Sequence, residues 1–410
     1  MRLAEFMQKE EMGYQEALKA TLETIRPLGS HRLPLAECSD RVVSEDLVAN
    51  VCSPSVDSSM KDGYAVRSDD IADATSENKV TLMVIDMAAA GIPARKAVTG
   101  GTAIRVQTGA EIPEGANAVL SEEFANRAGD VLTVFNNAHA GRNIMPKGAD
   151  VAEGETIAAK GSRLSPGMIG LFAAAGYSQV PVYRQPSLAI LATGDELVLP
   201  GQPLPDGKLY ASNLEMVKAW CRRYGIRTSF SVLIDKPEII THHIAKAIEA
   251  HDAVITSGGA WSGDRDFVAE ALKTLGWKKV FHWIRIGPGK PVGFGMLNDK
   301  PVFLLPGGPP SNFTAFIQIA LPGLLRLGGN RQPSLPTMPV KLVKQLTCRH
   351  IDWTEFVYGT LNPGDMYPIF KPLQLTSRIK TIASAECVIA IPEGAKSLPA
   401  DALVTAQLLV

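Results

Sequence analysis

The 410-residue chain is 46% hydrophobic and 20% charged, with 41 Lys and Arg against 42 Asp and Glu and a formal net charge of −1. This balance supports several apolar cores and roughly two to four domains, and it lacks the basic excess of a general nucleic-acid binder. No apolar run approaches the roughly 20 residues that cross a bilayer, so no membrane segment is expected. The start, Met1-Arg2-Leu3-Ala4-Glu5, leads into polar sequence instead of an apolar signal core, and the cytoplasm is the expected compartment. Cys38, Cys52, Cys221, Cys348 and Cys387 are odd in number and scattered, without a CxxC pair. They read as buried or part-buried thiols, not as zinc ligands or disulfides.

In chain order, Gly13 to Ile25 places Ala17, Leu18, Leu22 and Ile25 at helical spacing and predicts a helix ending before Pro27. From about Leu47 to Asn143 short β-rich runs follow: Val80–Ile85, Ala103–Gln107, Ala118–Leu120 and Val131–Phe135. They predict a small inserted β module. Leu164 to Ala175 reads as a helix with Pro166 in its first turn and Gly176 beyond its end. Strands are then expected at Ser187–Ala192, Thr228–Ile234, Ala253–Thr256 and Val302–Leu305. Helices alternate with them: one capped by Ser212 and Asn213 and closed by Gly225, one with Ile240, Ile244 and Ile248 on a face, one over Phe267–Leu275 and a last over Asn312–Leu327. Such alternation predicts a doubly wound α/β unit with a parallel sheet. Beyond Gly328-Gly329-Asn330 and a Pro-rich link, Val340 to Val410 is β-rich and predicts a separate β domain.

The loops after these strands carry the chemistry. They read Thr193-Gly194-Asp195-Glu196, Ser257-Gly258-Gly259 through Asp264-Arg265-Asp266, and Leu305-Pro306-Gly307-Gly308-Pro309-Pro310-Ser311. At the carboxyl edge of an α/β sheet, glycines admit a phosphate and following helices offer N–H groups to an anion. Acids beside such loops suit a divalent cation held against that anion. Asp235 and Asp266 follow neighbouring strands and are expected to converge with Glu196; a salt bridge or a helix cap is the alternative at each. Gly287-Pro288-Gly289-Lys290-Pro291 presents one lysine among turn residues, which suits a phosphate contact or a tight loop. All four loops are expected on one edge of one sheet. Asp57 through Val66 reads alone as a β-turn entering a strand. His242 and His243 are expected as surface or packing residues.

These residues closely resemble the molybdopterin molybdotransferase family, the MoeA and gephyrin E-domain group. The likeness runs in order through Met60-Lys61-Asp62-Gly63-Tyr64-Ala65-Val66-Arg67, Val106-Gln107-Thr108-Gly109-Ala110, Gly141-Arg142-Asn143-Ile144, Gly148-Ala149-Asp150-Val151, Thr193-Gly194-Asp195-Glu196-Leu197, Ser257-Gly258-Gly259, Pro288-Gly289-Lys290-Pro291 and Leu305-Pro306-Gly307. The resemblance implies four domains. These are a discontinuous N-terminal one (1–46 with 144–183), an inserted β domain (47–143), an α/β molybdopterin-binding domain (184–332) and a C-terminal β barrel (333–410). It implies a homodimer whose cleft lies between one subunit's α/β domain and the partner's inserted domain. The implied reaction inserts molybdate into adenylylated molybdopterin and releases AMP with Mg²⁺ assisting. The molybdopterin adenylyltransferase and acceptor molybdoenzymes are the implied partners.

Matched position by position, Asp62, Thr108, Asp150, Glu196, Asp235 and Asp266 take the family's polar sites. Asp62, Glu196, Asp235 and Asp266 are expected to be catalytic, with Glu196, Asp235 and Asp266 as metal ligands. Thr108 and Asp150 are expected to hold substrate with Thr193, Gly194, Ser257, Gly258, Gly259, Lys290, Pro306, Gly307, Pro309 and Ser311. Pro306 and Pro309 match the turn that shapes the oxyanion pocket. The chain departs from the family at Lys61, Ala211, Leu214, Ala260-Trp261-Ser262, Gly287, Gly308 and Thr376-Ser377-Arg378. Several of these changes remove a cation or a donor, with Lys61, Arg285 and Arg378 as candidate replacements. The second reading is therefore a catalytically weakened pterin or nucleotide carrier or scaffold.

Overall fold

The structure is a computed structural model, and it describes residues 11–258, 267–374 and 378–409. Its centre is a six-stranded sheet ordered Arg227–Leu233, Ser187–Thr193, Ala253–Ser257, Lys300–Leu305, Gly293–Leu297, Lys278–His282. The first four strands are parallel, in register as Leu188↔Thr228, Leu188↔Ala253 and Val254↔Val302. Both faces are buried, which is why these strands read as continuous Val, Ile and Leu runs. Leu188, Ile190, Ile255, Phe303 and Leu305 face a core shared with helices Ser212–Arg223 and Pro309–Ala315. The alternate residues Ala189, Leu191, Val254, Val302 and Leu304 face helices Pro237–Ala250 and Phe267–Thr274.

The last two pairings are antiparallel, with Gly293–Leu297 running against the other five strands, a departure from the all-parallel expectation. The reason is local. Asn298 and Asp299 adopt φ of 50° and 58°, a two-residue turn with both central residues left-handed, and this turn closes a hairpin between Gly293–Leu297 and Lys300–Leu305.

Helix Tyr14–Thr24 packs against helix Leu321–Leu327 and buries Tyr14 and Ala17 in the core of the α/β unit. A smaller core, with Val43, Leu164, Phe172 and Val182, lies under ribbons pairing Ser30–Pro34 with Gln179–Tyr183 and Leu47–Val48 with Thr156–Ala158. Helix Pro166–Ala174 completes it, with Ser165 Oγ accepting from the Met168 N–H and Gly176 at φ 87° beyond the end. The intervening β module is a second six-stranded sheet, ordered Ala118–Ser121, Gly63–Val66, Thr102–Val106, Val80–Ala88, Val131–Val134, Ala125–Ala128.

Near the C-terminus, strands Thr354–Asn362, Ile369–Pro372, Thr337–Leu342, Leu403–Leu408 and Cys387–Ile391 close into a five-stranded barrel, because the first and last also pair. Strand Ile284–Gly287 does not join the α/β sheet. It lies parallel to barrel strand Thr354–Asn362 and carries Met12–Gly13 on its other side.

Two helix expectations change. The helix after Ala211 has no side-chain cap; instead the Asn213 side-chain amide donates to the Gly307 carbonyl at 2.7 Å. The last helix is interrupted, with a π turn over Phe316–Ala320 between α segments Pro309–Ala315 and Leu321–Leu327. Pro322 lacks the N–H that regular α pairing would donate to Gln318, so the ladder shifts ahead of it. The cysteines are free thiols, with Cys38, Cys221 and Cys387 buried; burial pushes the Cys221 thiol up to about 12.

Candidate functional site

A cavity of about 890 Å³ opens at the carboxyl ends of strands Ser187–Thr193, Ala253–Ser257 and Lys300–Leu305. Its walls include Thr193, Gly194, Glu196, Asp235, Ser257, Gly258, Pro306, Gly307, Pro309 and Ser311. Thus ten residues singled out from the sequence line one space. The cavity also takes Arg349 and Arg378 from the C-terminal region, and these are its cationic lining residues among those described. Arg349 carries no Gly or Pro signature and lies far along the chain, so nothing in the sequence pattern pointed to it.

Backbone geometry explains the glycines. Gly258 has φ 98°, and a Cβ there would lie 2.4 Å from the Thr193 carbonyl oxygen. Only glycine lets these two strand ends come so close. Gly194 has φ 150°, and a Cβ would lie 2.6 Å from Glu196 Oε2, so the Glu196 carboxylate folds over it. A Cβ at Gly307 would instead meet only the Gly258 Cα, at 3.8 Å, and Gly308 borders open space. The next two residues, Pro309 and Pro310, have no N–H, so this helix start offers fewer donors to an anion than the expected motif implied. The turn is braced from below: the Asn312 amide donates to Ser257 Oγ at 2.9 Å and to the Pro306 carbonyl at 2.8 Å.

The acidic pair Asp195-Glu196 divides its roles. Asp195 Oδ1 accepts the Asp235 backbone N–H at 3.1 Å and fixes the neighbouring loop, while Glu196 is exposed to the cavity. Asp235 lines the same cavity just ahead of helix Pro237–Ala250. Gly259 and Asp266 lie outside the described residues. Among the described residues no three His, Cys, Asp or Glu side chains cluster as a metal site.

Lys290 is turned elsewhere. Its loop follows the barrel-sheet strand Ile284–Gly287, which corrects the expectation of four loops on one sheet edge. Pro288 and Pro291 line the cavity, whereas the Lys290 ammonium pairs with Glu11 at 2.9 Å and lies over the Trp353 and Trp283 rings at 4.9 and 5.4 Å. Arg285 is likewise engaged, at 2.5 Å from Glu393.

Asp62, Thr108 and Asp150 sit apart from this cavity, which takes no lining residue from before Ala192 among the described residues. Asp62 Oδ1 accepts the Thr108 N–H at 2.7 Å and its hydroxyl at 3.1 Å. These hydrogen bonds hold the exposed carboxyl below its ordinary range. Asp150 is exposed. His243 Nδ1 donates to the Ile239 carbonyl at 2.8 Å within its own helix, a packing role as expected.

A doubly wound α/β unit with a cleft at its carboxyl edge, flanked by a β module and a closed barrel, is the architecture of a multidomain ligand-binding protein. The MoeA N-terminal region (domain I and II) matches residues 12–176, and the probable molybdopterin binding domain matches 189–326. The molybdopterin molybdenumtransferase of Staphylococcus epidermidis is 30% identical over 393 residues, covering 95% of this chain and 94% of that protein. That of Staphylococcus aureus is 29% identical over 389 residues, covering 94% and 93%. The crystal structure of the molybdopterin biosynthesis MoeA protein from Pyrococcus horikoshii OT3 superposes with a TM-score of 0.84 at 28% identity, covering 97% of this chain and 100% of that one. The chain belongs to the MoeA, or molybdopterin molybdenumtransferase, family of molybdenum cofactor biosynthesis. Likeness along nearly the whole chain does not favour the carrier or scaffold reading.

Proposed function

We propose that this chain is a molybdate-inserting transferase: it binds adenylylated molybdopterin, receives molybdate at the dithiolene and releases AMP. The observation that supports this most is the single cavity that gathers the glycine loops, two carboxylates and two arginines. A pyrophosphate-linked substrate and an oxyanion both demand positive charge. Arg349 and Arg378 supply it where the family's usual lysine is replaced by Gly287. Gly307 and Gly308, unobstructed at their Cβ positions, let backbone approach the phosphates, and the Ser257 and Ser311 hydroxyls offer neutral donors. The Pro306–Pro310 turn gives the oxyanion end a rigid wall.

Glu196 and Asp235 offer hard carboxylate oxygens to the same cavity, and Asp266 is the third expected ligand, a donor set that fits Mg²⁺ shared with substrate phosphate. When bound, Mg²⁺ would supply charge against the phosphates. Asp62, oriented by Thr108, and Asp150 serve the cleft of a second copy in a cytoplasmic homodimer, which accounts for their distance from the cavity of their own chain.

Mixing two inactive variants tests the shared cleft. Asp62→Ala and Glu196→Ala should each lower turnover at least about 100-fold. After subunit exchange, half of the dimers carry one intact cleft, so activity should recover to roughly a quarter of wild type. Demonstrated exchange without recovery would overturn the shared site. Failure of the wild type to restore molybdoenzyme activity in a strain lacking its molybdenumtransferase would overturn the reaction itself.

A further inference from the structure

A second cavity, about 650 Å³, lies beside the edge strand Lys278–His282, between it and the end of helix Tyr14–Thr24. Three cations line it, Arg26, Lys278 and Lys279, against one carboxylate, Asp299. The excess is two positive charges, three less one. None of the three cations pairs with an acid among the described residues, whereas Arg163 and Lys341 elsewhere on the surface pair with Asp40 and Asp401. Lys300 does not add to the set, because its ammonium donates to the Ile248 carbonyl at 2.6 Å. The floor is apolar and includes Met296 and Pro301.

Edge-strand lysines are a common guard against unwanted strand pairing. That explains Lys278 and Lys279 but neither Arg26 nor a half-open pocket of ligand size. Among the described residues the cavity shares no lining residue with the larger cleft. The Asn298-Asp299 turn is at the opposite end of strand Lys300–Leu305 from Pro306, so roughly 20 Å of strand separates the two.

We propose that this cavity is a second ligand site that takes a small organic phosphate of the nucleoside phosphate class. The three cations receive the phosphates as charge-assisted donors. The flat heterocycle lies on the Met296 and Pro301 floor, where a thioether packs well against an aromatic ring. The site is independent of the proposed reaction.

Equilibrium dialysis with ADP and with inorganic pyrophosphate tests it on the full-length protein. An Arg349→Ala/Arg378→Ala variant, weakened in the main cleft, should keep one saturable ADP site per chain. The Arg26→Ala/Lys278→Ala/Lys279→Ala variant should lose that site, with affinity down at least about tenfold, while keeping the wild-type Tm because these side chains are exposed. The single variant Lys279→Gln should show an intermediate loss, and it remains informative if the triple variant misfolds. ADP should bind more tightly than pyrophosphate. Loss of all saturable binding in the cleft variant, or wild-type binding in the triple variant, would overturn the second site. Equal affinity for ADP and pyrophosphate would overturn the assignment of a heterocycle to the apolar floor.

Discussion

His282 is a largely buried imidazole whose Nε2 has no hydrogen-bond partner among the described residues. Burial opposes its protonation, Lys279 adds repulsion, and its pKa falls from 6.5 to about 4. The unfolded chain therefore takes up this proton at a higher pH than the folded chain does. Its contribution to stability is complete above about pH 6.5 and is lost as pH falls toward 4, by up to about 3 kcal/mol. His282→Leu should flatten the thermal midpoint between pH 4 and 6.5, and an unchanged slope would show that another group governs it. The cleft glycines differ in the same concrete way. Gly258→Ala drives a methyl into the Thr193 carbonyl at positive φ and should cost at least about 1–3 kcal/mol in urea unfolding. Gly307→Ala, whose Cβ meets nothing nearer than 3.8 Å, should leave stability unchanged and weaken ligand binding by narrowing the cavity. At this scale the sequence was most informative where a glycine stands at a strand end. It was least so at Lys290, since flanking prolines mark a rigid loop without showing that the side chain turns toward Glu11 and two indoles.

Among the elements, the interrupted helix from Pro309 to Leu327 does the most joining. Its first residues shape the cleft, and its π turn places Gln318 between the Tyr14 hydroxyl, which donates to Gln318 Oε1 at 2.8 Å, and Gln407 Oε1, which accepts from its amide at 2.7 Å. One fully buried side chain thus ties the first helix, the α/β unit and the barrel together. Gln318→Leu strands a hydroxyl and an amide oxygen and should lower the unfolding free energy by about 2–4 kcal/mol. Adding Tyr14→Phe should restore part of that loss, and simple additivity in this cycle would deny the coupling. Strand and helix identities here followed from apolar runs and their spacing. The hairpin at Asn298-Asp299 and the π turn at Pro322 did not, because each arises from one or two residues acting against a longer apolar pattern. The expected cap at Ser212 and Asn213 failed for a tertiary reason: Asn213 spends its amide on Gly307, an interaction invisible in the local sequence.

At the scale of the whole molecule, the division into a β module, an α/β unit and a C-terminal β domain was legible as changes in texture along the chain, while closure of the last into a barrel was implied by the family resemblance alone. The path of Ile284–Gly287 was not legible, because a four-residue segment with only two apolar side chains, Ile284 and Ile286, does not say which sheet it will join. That path makes the barrel and the cleft share backbone: the strand lies in the barrel sheet, and the loop leaving it contributes Pro288 and Pro291 to the cavity wall. Removing residues 333–410 would therefore not yield a smaller protein with an open cleft. It would strip the partner from Ile284–Gly287 and leave a raw strand edge that adds to like edges on other copies. The truncated chain should collect in the insoluble fraction on expression and bind thioflavin. A soluble monomer of that length would mean that the edge is protected by some other part of the fold.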